Sequence, residues 1–442
     1  MKTQLFPTQI VDKTKMAYGE DIPNFSEPGT GKTISAIAAI EEAEHQTGIV
    51  CCPVIASPMW QENLERELGA SCQIIKDKAT PPARGVDFHI ITYGLVTAHF
   101  DDLMCIEPDV LINDESQYLK SITADRTRAI FGEAGDGVGG LYSTCRQCWN
   151  LTGTPIERYS DDLWSQLRAT QPEALERYSA LTLDQFQRQF CRMEWKEYAG
   201  GASKKWSSVG NQNEKLLSRM LYDRIGIIRR TMDEVEGFMP PVTFREVDVR
   251  AKVDRELKDL LVGLDEHEIM ELLLQGGDRV NQAYRLTGIA KIKDTVAYIK
   301  SIARHRKVLV GFWHHDVGKP IYEQLGKAKF AANYLDGATS MEARYRIKDR
   351  FLSDEIDIIV GQIQSMGNAL DGLQGAANHV IFAEDNWAPS KIEQFWKRVW
   401  RLGQKRHVQV DFCRAYTIPV DTALQKLRER KAKGSALILQ FP

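Results

Sequence analysis

The 442-residue sequence has no uninterrupted apolar run approaching the roughly eighteen residues that a membrane-spanning helix requires. No basic-then-apolar leader precedes Lys2 to Gln9, and the eight cysteines sit mostly in apolar stretches, as Cys51, Cys52 and Cys413 do. These absences indicate a soluble protein of a reducing, cytoplasm-like compartment, with no membrane partner. An excess of one charge is missing too. With 57 Lys and Arg against 60 Asp and Glu, the net charge is −3, which excludes a chain coated in positive charge but not a local basic groove. Metal-ligand spacing is also absent: Cys145 and Cys148 have no second pair, and His314-His315 have no third ligand, so no structural metal is expected. What remains is an ordinary globular composition, 43% hydrophobic and 26% charged, long enough for about three domains with cores of their own.

From Thr33 to about Pro172, amphipathic or Ala-rich stretches alternate with short apolar runs at Ile49–Pro53, Phe88–Thr92, Asp109–Asn113 and Trp149–Thr152. Runs of this length separated by helical stretches predict parallel βα units. The rhythm stops between Arg158 and about Pro241, where Asp162–Ala169 and Leu181–Phe190 have helical spacing and no strand is apparent; Gly200–Lys205 reads as an exposed, flexible tip. A second helical patch covers Val253–Gln275. The alternation then resumes with Lys307–Phe312, Asn333–Leu335, Ile356–Gly361, His379–Ala383 and Val408–Phe412. The expected organisation is an α/β lobe over 1–158, a helical insertion and crossing over 159–245, a helical protrusion over 246–285, and a second α/β lobe with a C-terminal tail over 286–442. Ligands of such folds bind at the carboxyl ends of the strands.

The strongest local signal is Ser26-Glu27-Pro28-Gly29-Thr30-Gly31-Lys32-Thr33, directly before an Ala-rich helix. Gly29, Thr30 and Gly31 let backbone N–H groups converge on phosphate oxygens, Lys32 neutralises the β and γ phosphates, and the Thr33 hydroxyl holds Mg²⁺. Ser26 stands where the strict pattern has glycine. Further on, an apolar strand runs into Asp114-Glu115-Ser116-Gln117, a pair of acids suited to holding Mg²⁺ (Asp114) and orienting an attacking water (Glu115). Thr152-Gly153-Thr154 closes the last strand of the first lobe with small hydroxyl residues that can sense the nucleotide. In the second lobe, Arg398 and Arg401 are three apart, hence on one face of an expected helix, and can stabilise charge on a transferring phosphoryl group. Gly135 to Gly140 imitates a dinucleotide loop but follows no strand, so it is expected to be a mobile surface loop.

In this order, the motifs resemble the Swi/Snf family of superfamily 2 helicase-like ATPases, over nearly the whole chain. Leu5 to Gln9, Cys52 to Asn63, Ile91-Thr92-Tyr93, Asp114 to Ser121, Ile228 to Thr231 with Met239 to Pro241, Leu335 to Phe351 and Phe382 to Pro389 look like successive family motifs. The stretch Leu286 to Lys291, with Phe382-Ala383-Glu384, is similar to the annealing-helicase branch. The resemblance implies two RecA-like lobes of the P-loop NTPase class, with parallel sheets and helical insertions, and ATP and Mg²⁺ as cofactors. It makes Gln9 the adenine reader, Lys32 and Glu115 catalytic, and Arg398 with Arg401 the residues completing the site from the second lobe. Thr152, Gly153, Thr154 and Gln404 would couple the lobes. Gln117 stands in place of the family's usual histidine, Trp400 replaces another, and Lys397 replaces an acid.

The resemblance further implies a DNA-dependent ATPase that moves on double-stranded DNA. Its output would be remodelling or reannealing of DNA structures or displacement of bound proteins, as in repair or replication. A strand-separating DNA or RNA helicase, and an ATP-binding clamp without turnover, are the alternatives. The minimal length suggests a bacterial or viral motor, cytoplasmic in a bacterium or infected host and nuclear in a eukaryote. DNA, double-stranded or branched, would be held without sequence preference near Ser57, Thr92, Tyr93, His314, Thr339, Ser365 and Asn368. Lys391 to Lys433 adds twelve Lys and Arg against four acids. Trp60, Trp313, Trp387 and Trp396 have apolar neighbours and are expected in cores rather than against bases. The apolar tail Ala436–Phe441 is expected to pack onto the body.

Overall fold

In a computed structural model, the structure describes residues 1–197, 204–235, 239–275, 277–366, 370, 372–401 and 404–439. Asn368, residues 200–203 of the expected tip and 440–441 of the tail lie outside them. The chain divides into two compact units, one of 1–197, 204–237 and 434–442, the other of 198–203 and 238–433.

The first unit is built on a five-stranded sheet in the order β2-β3-β1-β4-β5, with β1 Gly48–Cys52, β2 Cys72–Ile75, β3 Phe88–Thr92, β4 Val110–Asp114 and β5 Gln147–Leu151. Every pairing is parallel. Such a sheet is covered on both faces, so its strands read as continuous apolar runs. Successive side chains then divide between two cores: Val50 and Cys52 join Ile37, Ile40, Trp60 and Ile112 on one face, while Ile49 and Cys51 join Ile91, Leu111, Phe131 and Cys148 on the other. The Gly135 to Gly140 segment is closely packed rather than a loose surface loop: the Gly137 amide bonds the Phe131 carbonyl at 2.8 Å, and a Cβ on Gly140 would lie 2.4 Å from the Gly132 nitrogen.

After β5 the chain forms helices Trp164–Thr170, Pro172–Arg177 and Leu183–Phe190, as the spacing predicts. It then departs from the all-helical expectation. β6 (Cys191–Glu197) and β7 (Lys204–Asn211) form an antiparallel hairpin with Trp195 opposite Trp206. The alternation here is between polar and aromatic residues, with no buried apolar set, so the usual period-2 signal is hidden. A separate core of Leu163, Leu167, Leu175, Phe186, Phe190, Leu217 and Leu221 supports this region, and Ile438 of the apolar tail is buried in it.

The second unit carries a six-stranded sheet in the order β10-β11-β9-β12-β13-β8, with β8 Val242–Asp248, β9 Val308–Phe312, β10 Ala332–Leu335, β11 Ile358–Gln362, β12 His379–Phe382 and β13 Val408–Arg414. All its pairings are parallel as well. The expected α/β architecture with two parallel sheets is met. β8 was not anticipated, and the expected boundary at residue 245 cuts through it. As a solvent-facing edge strand it carries Thr243, Arg245, Glu246 and Asp248, which disguise it in the sequence. Arg245 pairs with Asp411 at 3.0 Å, and Arg414 with Glu246, tying the edge to β13. Helices Arg255–Leu261, Glu266–Gln275 and Asp278–Ala290 share a core with Ile418, Leu424 and Leu427.

Candidate functional site

At the carboxyl edge of the first sheet, Asn24 bridges both Leu151 of β5 and Ile228, and the phosphate-loop sequence follows. Gly29 and Gly31 adopt φ of 94° and 86°, which only glycine takes freely. A Cβ on Gly31 would stand 2.3 Å from the Gln9 amide nitrogen, so Gln9 packs directly on the loop; it donates to the Thr30 carbonyl at 3.4 Å and accepts from the Phe6 amide at 3.0 Å. Lys32, at the start of the helix Lys32–Glu42, donates to the carbonyls of Ser26 and Glu27 at 2.7 and 3.1 Å. Thr33 follows on the first turn. Ser26 has a role that glycine cannot fill: its hydroxyl accepts the Arg230 amide at 3.0 Å. Sequence reasoning assigned Ile228 to Thr231 only to the crossing between lobes. Arg229 lies 3.5 Å from Glu27 of the loop and donates to the Phe25 carbonyl, and Arg230 pairs with Asp12 at 2.8 Å. Two adjacent arginines, Arg229 and Arg230, were the available signal.

The two acids stand at the end of β4. Asp114 is 8% exposed, and its carboxylate accepts from Trp60 Nε1 at 2.9 Å and from the Glu115 amide at 3.1 Å. Burial, and next the neighbouring Glu115 charge, push its pKa up to about 6, with Lys32 pulling the other way. Trp60 is therefore in the core, as expected, and also a support of the site. Glu115 takes a left-handed φ of 54°, unusual for a residue with a side chain. Its carboxylate accepts Gln117 Nε2 at 2.9 Å, while Gln117 Oε1 accepts the Thr152 hydroxyl at 2.5 Å. The Thr154 amide closes onto the Thr152 hydroxyl at 3.0 Å. A Cβ on Gly153 would lie 2.5 Å from the Pro28 ring, so the β5 end also abuts the phosphate loop. Gln9, Gly29 to Thr33, Asp114, Glu115 and Thr152 to Thr154 thus share one edge of one sheet.

The residues expected to touch nucleic acid fare differently. Tyr93 is a support, not a surface: it is buried, its hydroxyl donates to the Asp114 carbonyl at 2.7 Å, and its ring stacks on Tyr118 at 5.3 Å. The Ser57 side chain is likewise buried, against the Cys52 sulfur at 3.4 Å. Thr92 stays partly exposed at the end of β3.

In the second unit, His314, Thr339 and Ser365 follow β9, β10 and β11, three neighbouring strands, and so share a carboxyl edge. Arg344 was overlooked. Its buried guanidinium donates to the carbonyls of Asp336, Thr339 and Ser365 at 2.7–3.2 Å, clasping two loops together. The His314 ring is held by Glu384, Nδ1 to Oε1 at 2.7 Å, and Glu384 also accepts the Trp313 and His314 amides at 2.8 and 2.9 Å.

Arg398 and Arg401 do not share a helix face. The helix ends at Trp396, and both arginines stand in the turn that follows. The amides of Arg398 and Val399 bond carbonyls three residues back, and Gln404 Nε2 takes the Val399 carbonyl at 2.8 Å together with those of Gln374 and Ala377. Gln404 thereby fixes the turn. Trp400, a departure from the resemblance, donates to the Pro240 carbonyl at 2.8 Å, and Lys397 sits between the Trp396 and Trp400 rings while pairing with Glu393 at 2.5 Å. Several bases of the basic stretch are likewise spent inside the unit: Arg414 and Arg428 on Asp385, and Lys426 on Glu266.

Residues 25–256, more than half of the chain, match the family described as SNF2-related domain. The chain belongs to this family. The SNF2-related chain is 27% identical over 437 residues to the human protein named DNA annealing helicase and endonuclease ZRANB3, covering 93% of this chain and 38% of that protein. It is 26% identical over 427 residues to the SWI/SNF-related matrix-associated actin-dependent regulator of chromatin subfamily A-like protein 1 of Xenopus tropicalis, covering 92% of this chain and 42% of the relative. It thus spans about two fifths of the length of these curated relatives. Among solved structures, the Sulfolobus solfataricus SWI2/SNF2 ATPase core in complex with dsDNA covers 99% of the chain and is itself covered to 94%, at 19% identity and a TM-score of 0.44. Among the described residues no helix is long and apolar enough to cross a membrane.

Proposed function

We propose that this SNF2-related chain hydrolyses ATP and uses the cycle to move along double-stranded DNA, remodelling or reannealing branched structures or displacing bound proteins. The observation that carries the proposal is the unbroken connection from the phosphate loop to the acids. Lys32 stands on the loop, Gly153 abuts it, and Thr152 reaches Glu115 through Gln117. In this reading Lys32 and the loop amides bind the triphosphate, and Gln9 supports the loop where adenine is read. Glu115 orients and deprotonates the attacking water, Arg398 and Arg401 of the second unit stabilise the developing charge, and Gln404 braces their turn.

Mg²⁺ suits the donors present: the Thr33 hydroxyl and a desolvated Asp114 carboxylate are hard oxygen ligands, and the raised pKa of Asp114 marks a buried anion that a cation relieves. When bound, the ion would neutralise phosphate charge. DNA would be held through Thr92, Thr339 and Ser365, with Ser57, Tyr93 and His314 as supports. The human relative is named a DNA annealing helicase and endonuclease, and the annealing in that name supports this reading over a strand-separating helicase.

The test is ATP hydrolysis without nucleic acid and with single-stranded DNA, duplex DNA, forks and RNA. Duplex DNA is expected to stimulate most, with triplex displacement but no unwinding of forked duplex. Lys32→Ala should abolish turnover. Arg401→Ala should keep nucleotide affinity and slow hydrolysis about a thousandfold, the lower end for an arginine finger. Equal rates in all five conditions would end the proposal.

A further inference from the structure

The hairpin β6–β7 bears a feature that neither ATP hydrolysis nor core packing uses. Trp195 and Trp206 stand directly opposite one another, with ring centroids 5.3 Å apart and planes at 56°. They are 65% and 40% exposed, whereas Trp60 and Trp149 of the same unit are fully buried. Leaving two indoles in water forgoes a large apolar burial, so a stable surface position implies a ligand or a cost. The hairpin base is firmly fixed. Ser208 donates to Asp161 at 2.6 Å, Gln187 donates to the same carboxylate at 2.8 Å, and Asn211 accepts the Ser160 amide and hydroxyl at 2.8 and 3.0 Å. The strand enters from the buried Phe190 and Cys191. The indole pair is therefore held on an anchored arm.

We propose that this pair is a stacking platform for unpaired bases of DNA at a junction or fork. The inference rests on the proposed DNA function and adds a second contact to it. Two observations favour a base over another ligand. Among the described residues of the hairpin, the exposed large apolar side chains are the two rings: the neighbouring pairs in the register are Met193, half-buried, with Ser208 and Glu194 with Ser207 on one side, and Lys196 with Lys205 and Glu197 with Lys204 on the other. That is far too small a patch for a stable protein interface, which takes about 800 Å² from each partner, but it is the size of one or two nucleobases. In sequence, the two strands carry Arg192, Lys196, Lys204 and Lys205 against Glu194 and Glu197, a positive balance in a chain of net charge −3. Aromatic rings in a basic segment bind single strands without reading sequence, since every base offers a π-face.

The experiment compares the double variant Trp195→Ala/Trp206→Ala with the parent on blunt duplex and on a fork with single-stranded arms, by fluorescence anisotropy. A 2-aminopurine placed in one arm reports stacking directly. The double variant is expected to bind the fork about tenfold more weakly, with loss of the 2-aminopurine quench, while blunt-duplex affinity and duplex-stimulated ATPase stay at the parent level. Trp195→Phe/Trp206→Phe should restore most of the fork preference, showing that ring stacking and not hairpin integrity is read. Unchanged fork affinity, or equal loss on fork and blunt duplex, overturns the platform; the first result would leave a protein partner as the reason for the exposed rings. Absence of duplex-stimulated ATPase in the parent overturns the proposed function instead, and the fork comparison, a binding measurement, still reads the hairpin.

Discussion

Asp114 illustrates how a single residue is held against its own solvation. Its carboxylate is nearly sealed from water, with one hydrogen bond to Trp60, one to the next amide, and Glu115 beside it. The folded pKa of about 6 exceeds the ordinary aspartate value of 3.8, so the folded state holds this proton more tightly than the unfolded chain. Stability is therefore lost as pH rises from about 4 to about 6, and the cost is fully present at pH 7. Asp114→Asn keeps an acceptor for Trp60 and removes the charge. The nucleotide-free variant should be more stable than the parent at pH 7 by about 1–3 kcal/mol, the gain vanishing by about pH 4, while its ATPase is lost. Thermal melts of the two proteins at pH 4, 5.5 and 7 check this. A variant no more stable at pH 7 would mean that the acid is relieved by a cation already bound.

At the scale of elements, the segments that follow β4 and β5 are linked through the Gln117 side chain, which donates to Glu115 and accepts from Thr152. Shortening it breaks the link between the proposed catalytic acid, Glu115, and the segment that abuts the phosphate loop. Gln117→Ala is expected to lower kcat about tenfold with little change in KM for ATP, since the loop itself is untouched; Gln117→His, whose ring can also donate to Glu115, should recover most of the rate. Equal kcat for Gln117→Ala and the parent would make the link idle.

Much of this region was legible because buried parallel strands and glycine-rich loops leave strong patterns: β1, β3, β4 and β5 and the phosphate loop all lie where apolar runs and glycine spacing put them. Elements that bury no continuous apolar face escaped. β2 is a short edge strand that is buried only at Ile75, β8 is a charged edge, and β6–β7 alternates polar residues with exposed tryptophans. Likewise Arg398 and Arg401 have helical spacing, but the helix ends at Trp396, and the turn after it is held by Gln404, which reaches the Gln374 and Ala377 carbonyls, tertiary contacts that no local pattern encodes. The Arg344 clasp is of the same kind.

For the molecule as a whole, the question is how a chain of net charge −3 would hold the proposed polyanion. Several of the cations in the basic stretch near the C-terminus are spent internally, with Arg414 and Arg428 on Asp385 and Lys426 on Glu266. The proposed contacts at Thr92, Thr339 and Ser365 are neutral hydroxyls, which hydrogen-bond phosphate without displacing its counterions. The affinity for blunt duplex should accordingly fall only gently with salt. Each phosphate neutralised by Lys or Arg adds about 0.9 to the slope of log K against log salt, and a slope shallower than about −5 is expected, the same for duplexes of different sequence. Anisotropy titrations between about 50 and 200 mM salt measure it. A slope of about −8 or steeper would require cations that are paired in this structure to be released onto DNA, making Asp385 and Glu266 competitors of the phosphate backbone; removing those acids would then tighten binding, whereas with hydroxyl contacts it should not.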